Sequence, residues 1–324
     1  DSARRGLWRG LGIATFLEWT GGNALEENVH VQVLPDGVIE VFTAVNQMGQ
    51  GIATSLAQLV VDVFGVPLTQ VRIVMGDTDR ANGFGSAGSR SLFTGGSAVS
   101  VGAQKTLDMA QNLAAQALEA APQDIRYEHG TFHVAGTDVK ISLADLAAQQ
   151  SSQRIELKST TTANGPTWPN GCHVCEVELD PNTGEVQVVS YTSMNDVGRV
   201  VNPTIVRGQL DGGAVQGLGQ ALCEQVVYDR ETGQLLTGSL MDYAVPHADV
   251  MPAYFDTHMD ESIPCKNNVL GVKGVGELGT IGATPALVNA VADALARHGR
   301  GDAATQLQMP LSPHRVWRLL NSSN

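Results

Sequence analysis

The chain has few cysteines, few basic residues and no long apolar run. It has four cysteines in 324 residues, well below the density of a disulfide-stapled domain. Its 20 Lys and Arg stand against 33 Asp and Glu, a formal net charge of −13. Because nucleic-acid and anionic-membrane surfaces need basic patches, we expect neither partner. We expect no membrane span, since we find no apolar run of about 18 residues, and no signal-peptide core near the N-terminus.

Common catalytic and metal-binding motifs are also missing. The eight histidines are scattered, and no nucleophile elbow or phosphate-binding P-loop is present. Cys172 and Cys175 form a C-x-x-C pair, but they fall on a predicted strand where their side chains point to opposite faces. We therefore expect no metal site made of protein side chains, and no iron–sulfur cluster within the chain.

Hydrophobic residues are plentiful at 43%, and the 36 glycines exceed the usual share of about 7%. Alternating segments predict hairpins at residues 29–45, 125–134, 172–194 and 224–238. Helical periodicity predicts helices over residues 54–64, 98–120 and 203–222, and one beginning at a Thr284 cap with Pro285 in its first turn. Strands and helices do not alternate regularly, so the predicted class is α+β, with mixed antiparallel sheets, hairpins and packed helices.

A polar stretch at residues 150–170, with Pro166 and Pro169, predicts a linker between two sub-domains. The boundaries that follow are residues 1–160 and 161–324. The predicted helix over residues 54–64 has Thr54 as its cap and Gly65 as its left-handed end.

Two glycine-rich loops in the first half suit a ligand. Gln47-Met48-Gly49-Gln50-Gly51 precedes a helix, where backbone amides favour an anion, although an ordinary strand-to-helix turn is the alternative. Residues 83–96 contain G-x-G-x-x-G, but no strand comes directly before the glycines, and the nearest acid after Gly88, Asp108, lies inside a predicted helix, so a Rossmann nucleotide site is rejected. The loop still fits a cradle for phosphate or a polar heterocycle, with Arg90 as a clamp or, alternatively, a salt-bridge residue.

Two more loops lie in the second half. Gln209, Gln216 and Gln220 stand among helix glycines that cost about 1 kcal/mol each, which indicates close packing on another helix or on a cofactor. Glu277 is the lone acid in a glycine-rich loop, with Lys273 as its nearest basic residue. A partly desolvated carboxylate in such a pocket suits a general base, and an exposed loop glutamate is the alternative.

Taken in order, these loops resemble the molybdenum-binding subunit of the xanthine oxidase family. That family includes xanthine dehydrogenase, aldehyde oxidoreductase, carbon monoxide dehydrogenase and bacterial N-heterocycle hydroxylases. The segments that carry the resemblance are QMGQGIATSLAQLVVDVFGVP, GDTDRANGFGSAGSRS, DVGRVVNPTIVRGQLDGGAVQGLG and GVKGVGELGTIGATPALVNAVADAL. The GSAGSRS form is most similar to the carbon monoxide dehydrogenase-like branch.

The resemblance implies that Glu277 is the base in a water-derived hydroxylation of an electron-poor carbon, in an N-heterocycle, an aldehyde or a related small molecule. It implies a molybdenum–molybdopterin cytosine dinucleotide whose dithiolene holds the metal, so no side chain is expected to ligate it. The cofactor contacts implied by the motifs are Gln47, Gly49, Gln50, Gly51, Ala87, Gly88, Ser89, Arg90, Ser91, Gln209, Gly274 and Gly276.

The molybdenum subunit of this family is usually much longer, so the resemblance implies its C-terminal half, either naturally split or cut from a longer chain. It also implies three partners: the N-terminal half, an iron–sulfur subunit and an FAD subunit, in a bacterial cytoplasm. The isolated chain is expected to lack cofactor. A second hypothesis is a non-catalytic cofactor-docking or assembly module, which the presence of Glu277 disfavours.

Overall fold

The computed structural model describes residues 1–321, which fold into strands of three sheets with packed helices. The strands are β1 (Trp8–Leu17), β2 (Glu26–Val33), β3 (Ile39–Thr43), β4 (Val71–Val74), β5 (Ile125–Glu128), β6 (Thr131–Val134), β7 (Lys140–Ser142), β8 (Ile155–Thr162), β9 (Asn170–Leu179), β10 (Val186–Asp196) and β11 (Tyr254–Asp260). The helices are α1 (Ile52–Phe64), α2 (Ser97–Ala117), α3 (Leu143–Ala148), α4 (Pro203–Leu222), α5 (Leu278–Arg297), α6 (Gly301–Ala304) and α7 (Pro313–Asn321). The predicted α+β class is confirmed.

The first sheet has the order β4-β3-β2-β8, with α1 and α2 packed against it. Its β2–β3 pair is the predicted antiparallel hairpin, and Gly37 takes the left-handed backbone (φ 82°) that its turn needs. A small sheet, β5-β6-β7, contains the second predicted hairpin. The α3 helix beside it is capped by Ser142, whose Oγ accepts from Asp145 N at 3.0 Å.

The two predicted helix caps at Thr54 and Thr284 are wrong. The α1 helix begins at Ile52, after Gly51. The α5 helix begins at Leu278, with Glu277 at its N-cap and Pro285 inside it. Close packing of its first turns on α4 outweighs the proline, and Thr284 Oγ1 donates to the Gly217 carbonyl of α4 at 3.0 Å instead of capping its own helix.

The predicted linker at residues 150–170 is also wrong over most of its length, because β8 lies there and pairs antiparallel with β2. As the edge strand of its sheet, β8 buries Ile155 and Ser159 while Lys158 and Thr160 stay exposed. An edge strand with one solvated face has a polar composition, which resembles that of a linker.

The second sheet has the order β1-β9-β10-β11 and is covered by α4 and α5. The β9–β10 hairpin is confirmed. The predicted hairpin at residues 224–238 is reduced to one bridge between Tyr228 and Leu235. Because β1 comes from the N-terminus yet pairs with β9, the second sheet draws on both ends of the chain. The sub-domain boundary at residue 160 stays a prediction.

Strand β1 and helix α5 touch backbone to backbone. Gly10 and Gly12 lie on the buried face of β1, and a Cβ placed at Gly12 would stand 2.0 Å from the Ala286 carbonyl oxygen. At Gly10 the equivalent atom would stand 2.0 Å from the Ala290 carbonyl oxygen. This close contact holds the end of β1 near the start of α5, where Glu277 lies.

By length and composition α5 could cross a membrane, because it has 20 residues and an 18-residue window of it has a mean hydropathy of 1.2. More than half of it, 56%, is buried inside the fold, against β1, β9 and α4. Such burial is typical of a helix in a protein core. An apolar helix of this length was not predicted from the sequence.

Candidate active site

The four loops selected from the sequence meet in one cleft, with a volume of about 330 Å³. They come from distant parts of the chain and surround the first turn of α5. The predicted site residues that line the cleft are Gln50, Ala87, Gly88, Ser89, Ser91, Gln209, Gly274, Gly276 and Glu277.

Glu277 projects its carboxylate into this cleft from the N-cap of α5. Ser89 Oγ donates to Glu277 Oε2 at 2.5 Å. The N-terminus of a long helix also stabilises a negative charge at this position. The residue is nevertheless exposed, so the dry pocket expected around it is not formed by this chain alone.

Lys273 does not serve Glu277 as a charge partner. Its ammonium group pairs with the Asp196 carboxylate, and both side chains are largely buried. Asp196 Oδ2 also accepts from Asn170 Nδ2 at 3.0 Å. Lys273 therefore pairs with a carboxylate at the end of β10. The groups that stabilise the charge of Glu277 are the Ser89 hydroxyl and the N-terminus of α5.

Close crossing of two loops explains the glycines ahead of Glu277. A Cβ at Gly274 would lie 2.6 Å from the Ser89 carbonyl oxygen and 2.8 Å from Thr20 Cβ. At Gly276 it would lie 3.4 Å from Ser89 Oγ and 3.8 Å from Gln209 Oε1. A side chain at Gly274 would push the Ser89 segment away from the loop that carries Glu277, whereas a methyl group at Gly276 would make only ordinary van der Waals contacts.

The loop that carries Ser89 has an unusual backbone. Gly88 and Ser89 both adopt left-handed conformations, with φ of 57° and 55°. A π-helical turn follows at Ser91–Gly96 and continues into α2. Left-handed non-glycine residues and π-helical turns both concentrate at functional sites. This backbone turns the Ser89 hydroxyl toward Glu277.

In the first loop, side-chain amides shape the turn. Gln50 lines the cleft while its Oε1 accepts from Met48 N at 2.6 Å and its Nε2 donates to Asn46 O at 2.7 Å. Gln47 Oε1 accepts from Ala53 N at 3.1 Å and so satisfies a free amide at the start of α1. Cofactor contacts by Gln47, and by the left-handed Gly49 and Gly51 beside it, stay a prediction.

Arg90 is not available as an anion clamp, because its side chain is fully buried. Its guanidinium donates to the carbonyls of Ala24 and Gly85, at 2.9 and 2.7 Å. Its Nη1 also lies 2.8 Å from Glu27 Oε2 in an ion pair whose two side chains are inaccessible. Burial raises the pKa of Glu27, and the charge of Arg90 opposes that rise. Arg90 therefore fixes the loop against the start of β2.

We expect Arg90→Met to destabilise the fold by about 3–5 kcal/mol, because it leaves the Glu27 carboxylate buried without a cation. Chemical denaturation of the purified protein measures this loss. The double variant Arg90→Met/Glu27→Gln is expected to recover part of it, since no charge then remains buried. An Arg90→Met protein of unchanged stability that loses bound anion would contradict this structural role.

The sequence analysis missed Glu18, which follows β1 and is only 8% exposed. Its carboxyl group is in hydrogen-bond contact with that of Glu277, and its Oε2 has no partner within the described part of the chain. Burial, followed by the hydrogen bond and the charge of Glu277, raises the pKa of Glu18 to about 8. Strand alternation could have revealed it, because even-numbered residues of β1 face inward.

The raised pKa of Glu18 makes stability depend on pH. Folding favours protonated Glu18, so its contribution is fully present below the ordinary pKa of 4.5 and is lost as the pH rises to about 8. Glutamine cannot ionise, so we expect the melting temperature of Glu18→Gln, relative to the unmodified protein, to rise across this window. A difference that is constant with pH, measured by thermal unfolding, would contradict the assignment.

Within residues 1–321, no group of three or more His, Cys, Asp or Glu side chains is arranged to hold a metal ion. Cys172 and Cys175 are both free thiols, and burial raises the pKa of Cys175 to about 12. The side chains that line the cleft offer carboxyl, hydroxyl and amide groups, together with the basic groups of Arg199 and Lys273.

Comparison with known proteins extends this description. Residues 1–252 match the family model of the molybdopterin cofactor-binding domain. The nicotine 6-hydroxylase large subunit of Paenarthrobacter nicotinovorans is 35% identical, over 98% of this chain and 41% of its own length. The carbon monoxide dehydrogenase large chain of Hydrogenophaga pseudoflava is 32% identical, over 97% of this chain and 41% of its own.

A solved structure supports the same relationship. Quinoline 2-oxidoreductase from Pseudomonas putida 86 matches with a TM-score of 0.85 and 32% identity, over 100% of this chain and 43% of that one. The chain therefore spans less than half the length of the relatives that it matches.

Proposed function

Because the chain belongs to the family of molybdopterin cofactor-binding domains, we propose that it is the part of a molybdenum hydroxylase large subunit that supplies the general base, Glu277. The complete enzyme hydroxylates an electron-poor carbon of an N-heterocycle, an aldehyde or a related small molecule, with oxygen from water. One observation carries the proposal. Loops from four distant parts of the chain converge on an exposed carboxylate that a serine hydroxyl and a helix N-terminus hold in the cleft.

The cofactor in this proposal is a molybdenum–molybdopterin cytosine dinucleotide. The cleft fits such a group because glycines and small residues leave room for it, two glutamine amides and the Arg199 side chain offer polar contacts, and apolar side chains line the rest. Gln50, the segment 87–89, Ser91 and Gln209 hold the cofactor, with Gly274 and Gly276 leaving room for it. When bound, the cofactor supplies the metal centre that accepts electrons from the substrate.

The chain's own part in catalysis is proton transfer. A carboxylate at Glu277 accepts the proton that water releases as its oxygen is transferred to carbon. The hydrogen bond from Ser89 fixes one oxygen of the carboxylate at the N-terminus of α5. The exposure of Glu277 to the cleft keeps it accessible to the reacting groups.

The enzyme in this proposal needs further chains. The cleft is open and the chain spans 41% of its nicotine 6-hydroxylase relative, so an N-terminal half-subunit completes the pocket and encloses Glu277. An iron–sulfur subunit and an FAD subunit carry the electrons away. Relatives from Paenarthrobacter, Hydrogenophaga and Pseudomonas support a bacterial source, and the proposal places the complex in the cytoplasm.

Reconstitution tests the proposed function. The chain is co-purified with the proteins encoded beside it and assayed with pyridine-type, quinoline-type and aldehyde substrates in isotopically labelled water. We expect turnover of at least one class, with the label in the product. A complex that contains molybdenum but hydroxylates none of these classes would instead support a non-catalytic cofactor-docking module.

A further inference from the structure

A second carboxyl group, which does not line the cleft, lies beside Glu277 and is not used by the proposed mechanism. Glu18 stands immediately after β1, where its backbone N–H donates to the Pro169 carbonyl at 2.9 Å. Its side chain is more than nine-tenths buried, and its Oε2 is an orphan among the described residues. The same side chain is in hydrogen-bond contact with Glu277. The contact between the buried Glu18 and the exposed Glu277 therefore requires an explanation.

Two carboxyl groups in hydrogen-bond contact share a proton, because two carboxylates would offer no donor and would repel each other. The surroundings decide which group carries it. Glu277 is exposed, accepts from Ser89 and stands at the N-terminus of a long helix, an environment in which a negative charge is solvated and stabilised. Glu18 is buried, and a neutral acid tolerates an unpartnered oxygen in the interior far better than a carboxylate does.

Building on the proposed function, we propose that protonated Glu18 is a positioning residue, which donates a hydrogen bond to the Glu277 carboxylate and holds it for proton abstraction. Ser89 and Glu18 then donate from two different elements, the loop before the π-helical turn and the end of β1. Two donors fix the orientation of a carboxylate more closely than one. Glu18 itself need not touch the substrate or the cofactor.

This arrangement also sets an upper pH limit. Glu277 is the charged group whose field acts on Glu18. The basic side chains that line the same cleft are Arg199 and Lys273, and the latter is paired with Asp196. Once Glu18 ionises, near the pKa of about 8 described above, the donor is lost and the two carboxylates repel.

Three variants of the reconstituted complex test the inference. Glu18→Leu removes the donor, and we expect kcat per molybdenum to fall by about 10–100-fold with KM and cofactor content little changed. Glu18→Gln keeps an N–H donor that cannot ionise, so it is expected to restore most of this turnover at neutral pH and to abolish the fall in kcat at alkaline pH. Glu185→Gln, on an exposed turn, is the matched surface control.

A purely structural role would give a different pattern. Glu18→Leu and Glu18→Gln would then lower stability or cofactor content while kcat per molybdenum stayed at the level of the unmodified complex, and this result would overturn the inference. If the unmodified complex turns over no substrate, the proposed function fails instead, so the two failures are distinguishable.

Infrared spectroscopy adds a readout that does not depend on turnover. At neutral pH we expect a protonated-carboxyl band that Glu277→Gln retains and Glu18→Gln loses. A band that survives in Glu18→Gln would show that the proton resides elsewhere and would overturn the assignment.

Discussion

Replacing Glu277 with glutamine is expected to reduce hydroxylation by about 10²–10⁴-fold, the range for loss of a positioned general base. Glutamine has nearly the same shape and can still accept from Ser89 through its carbonyl oxygen, so the loop should keep its conformation. It cannot take up the proton from water. The effect should therefore appear in kcat per molybdenum, measured by steady-state turnover of the reconstituted complex.

Two controls separate this result from damage to the fold. The exposed Glu277 contributes little packing, so the melting temperature and molybdenum content of Glu277→Gln should match those of the unmodified complex. Glu185→Gln removes a carboxylate from the exposed β9–β10 turn and should retain full activity. Substantial residual turnover in Glu277→Gln, with cofactor bound, would contradict the role of Glu277 as the base.

Gly12→Ala is expected to lower the free energy of unfolding by about 3 kcal/mol or more. We expect no larger loss from any other Gly→Ala change in the core between the second sheet and α5. The new Cβ would stand 2.0 Å from the Ala286 carbonyl oxygen and 2.3 Å from Ala290 N. Both are helix backbone atoms, which cannot rotate aside as a side chain can. Strand β1 and helix α5 must therefore separate, which also displaces Glu18 and Glu277 from each other. Equilibrium unfolding in denaturant measures the loss.

Gly208→Ala is the matched control for this substitution. Gly208 lies in α4, is exposed, and has no atom within 4 Å of an added Cβ. We expect stabilisation by up to about 1 kcal/mol, the difference in helix propensity between the two residues. If Gly12→Ala proved as stable as Gly208→Ala, the backbone contact between β1 and α5 would be absent in solution.

The sequence predicted the elements whose pattern is local. Helix α4 and the β2–β3 and β9–β10 hairpins each carry their own periodicity and turn residues, and they occur where expected. Strand β8 and the start of α5 were missed because tertiary contacts form them. An edge strand gains its hydrogen bonds from β2, and the early turns of α5 are stabilised by α4 across Gly213 and Gly279.

In the candidate site, too, local sequence patterns predicted some residues, whereas others depend on tertiary contacts. Glycine patterns and family motifs identified Glu277, Ser89 and Gln209, which the fold brings to one cleft. They could not show that Arg90 is buried in an ion pair with Glu27, because the two residues are 63 positions apart in the sequence. Strand alternation places Glu18 on the buried side of β1, but its contact with Glu277 joins residues from opposite ends of the sequence and could not be predicted from local patterns.

The most direct test of the account is the amount of molybdenum and of CMP released per chain, after the chain is purified with the proteins encoded beside it. Elemental analysis and acid hydrolysis supply the two values. The account predicts stoichiometric molybdenum and CMP in the complex, and neither in the isolated chain, whose cleft is only partly enclosed. A complex that contains neither molybdenum nor CMP would contradict the claim that this chain is the base-bearing part of a molybdenum hydroxylase.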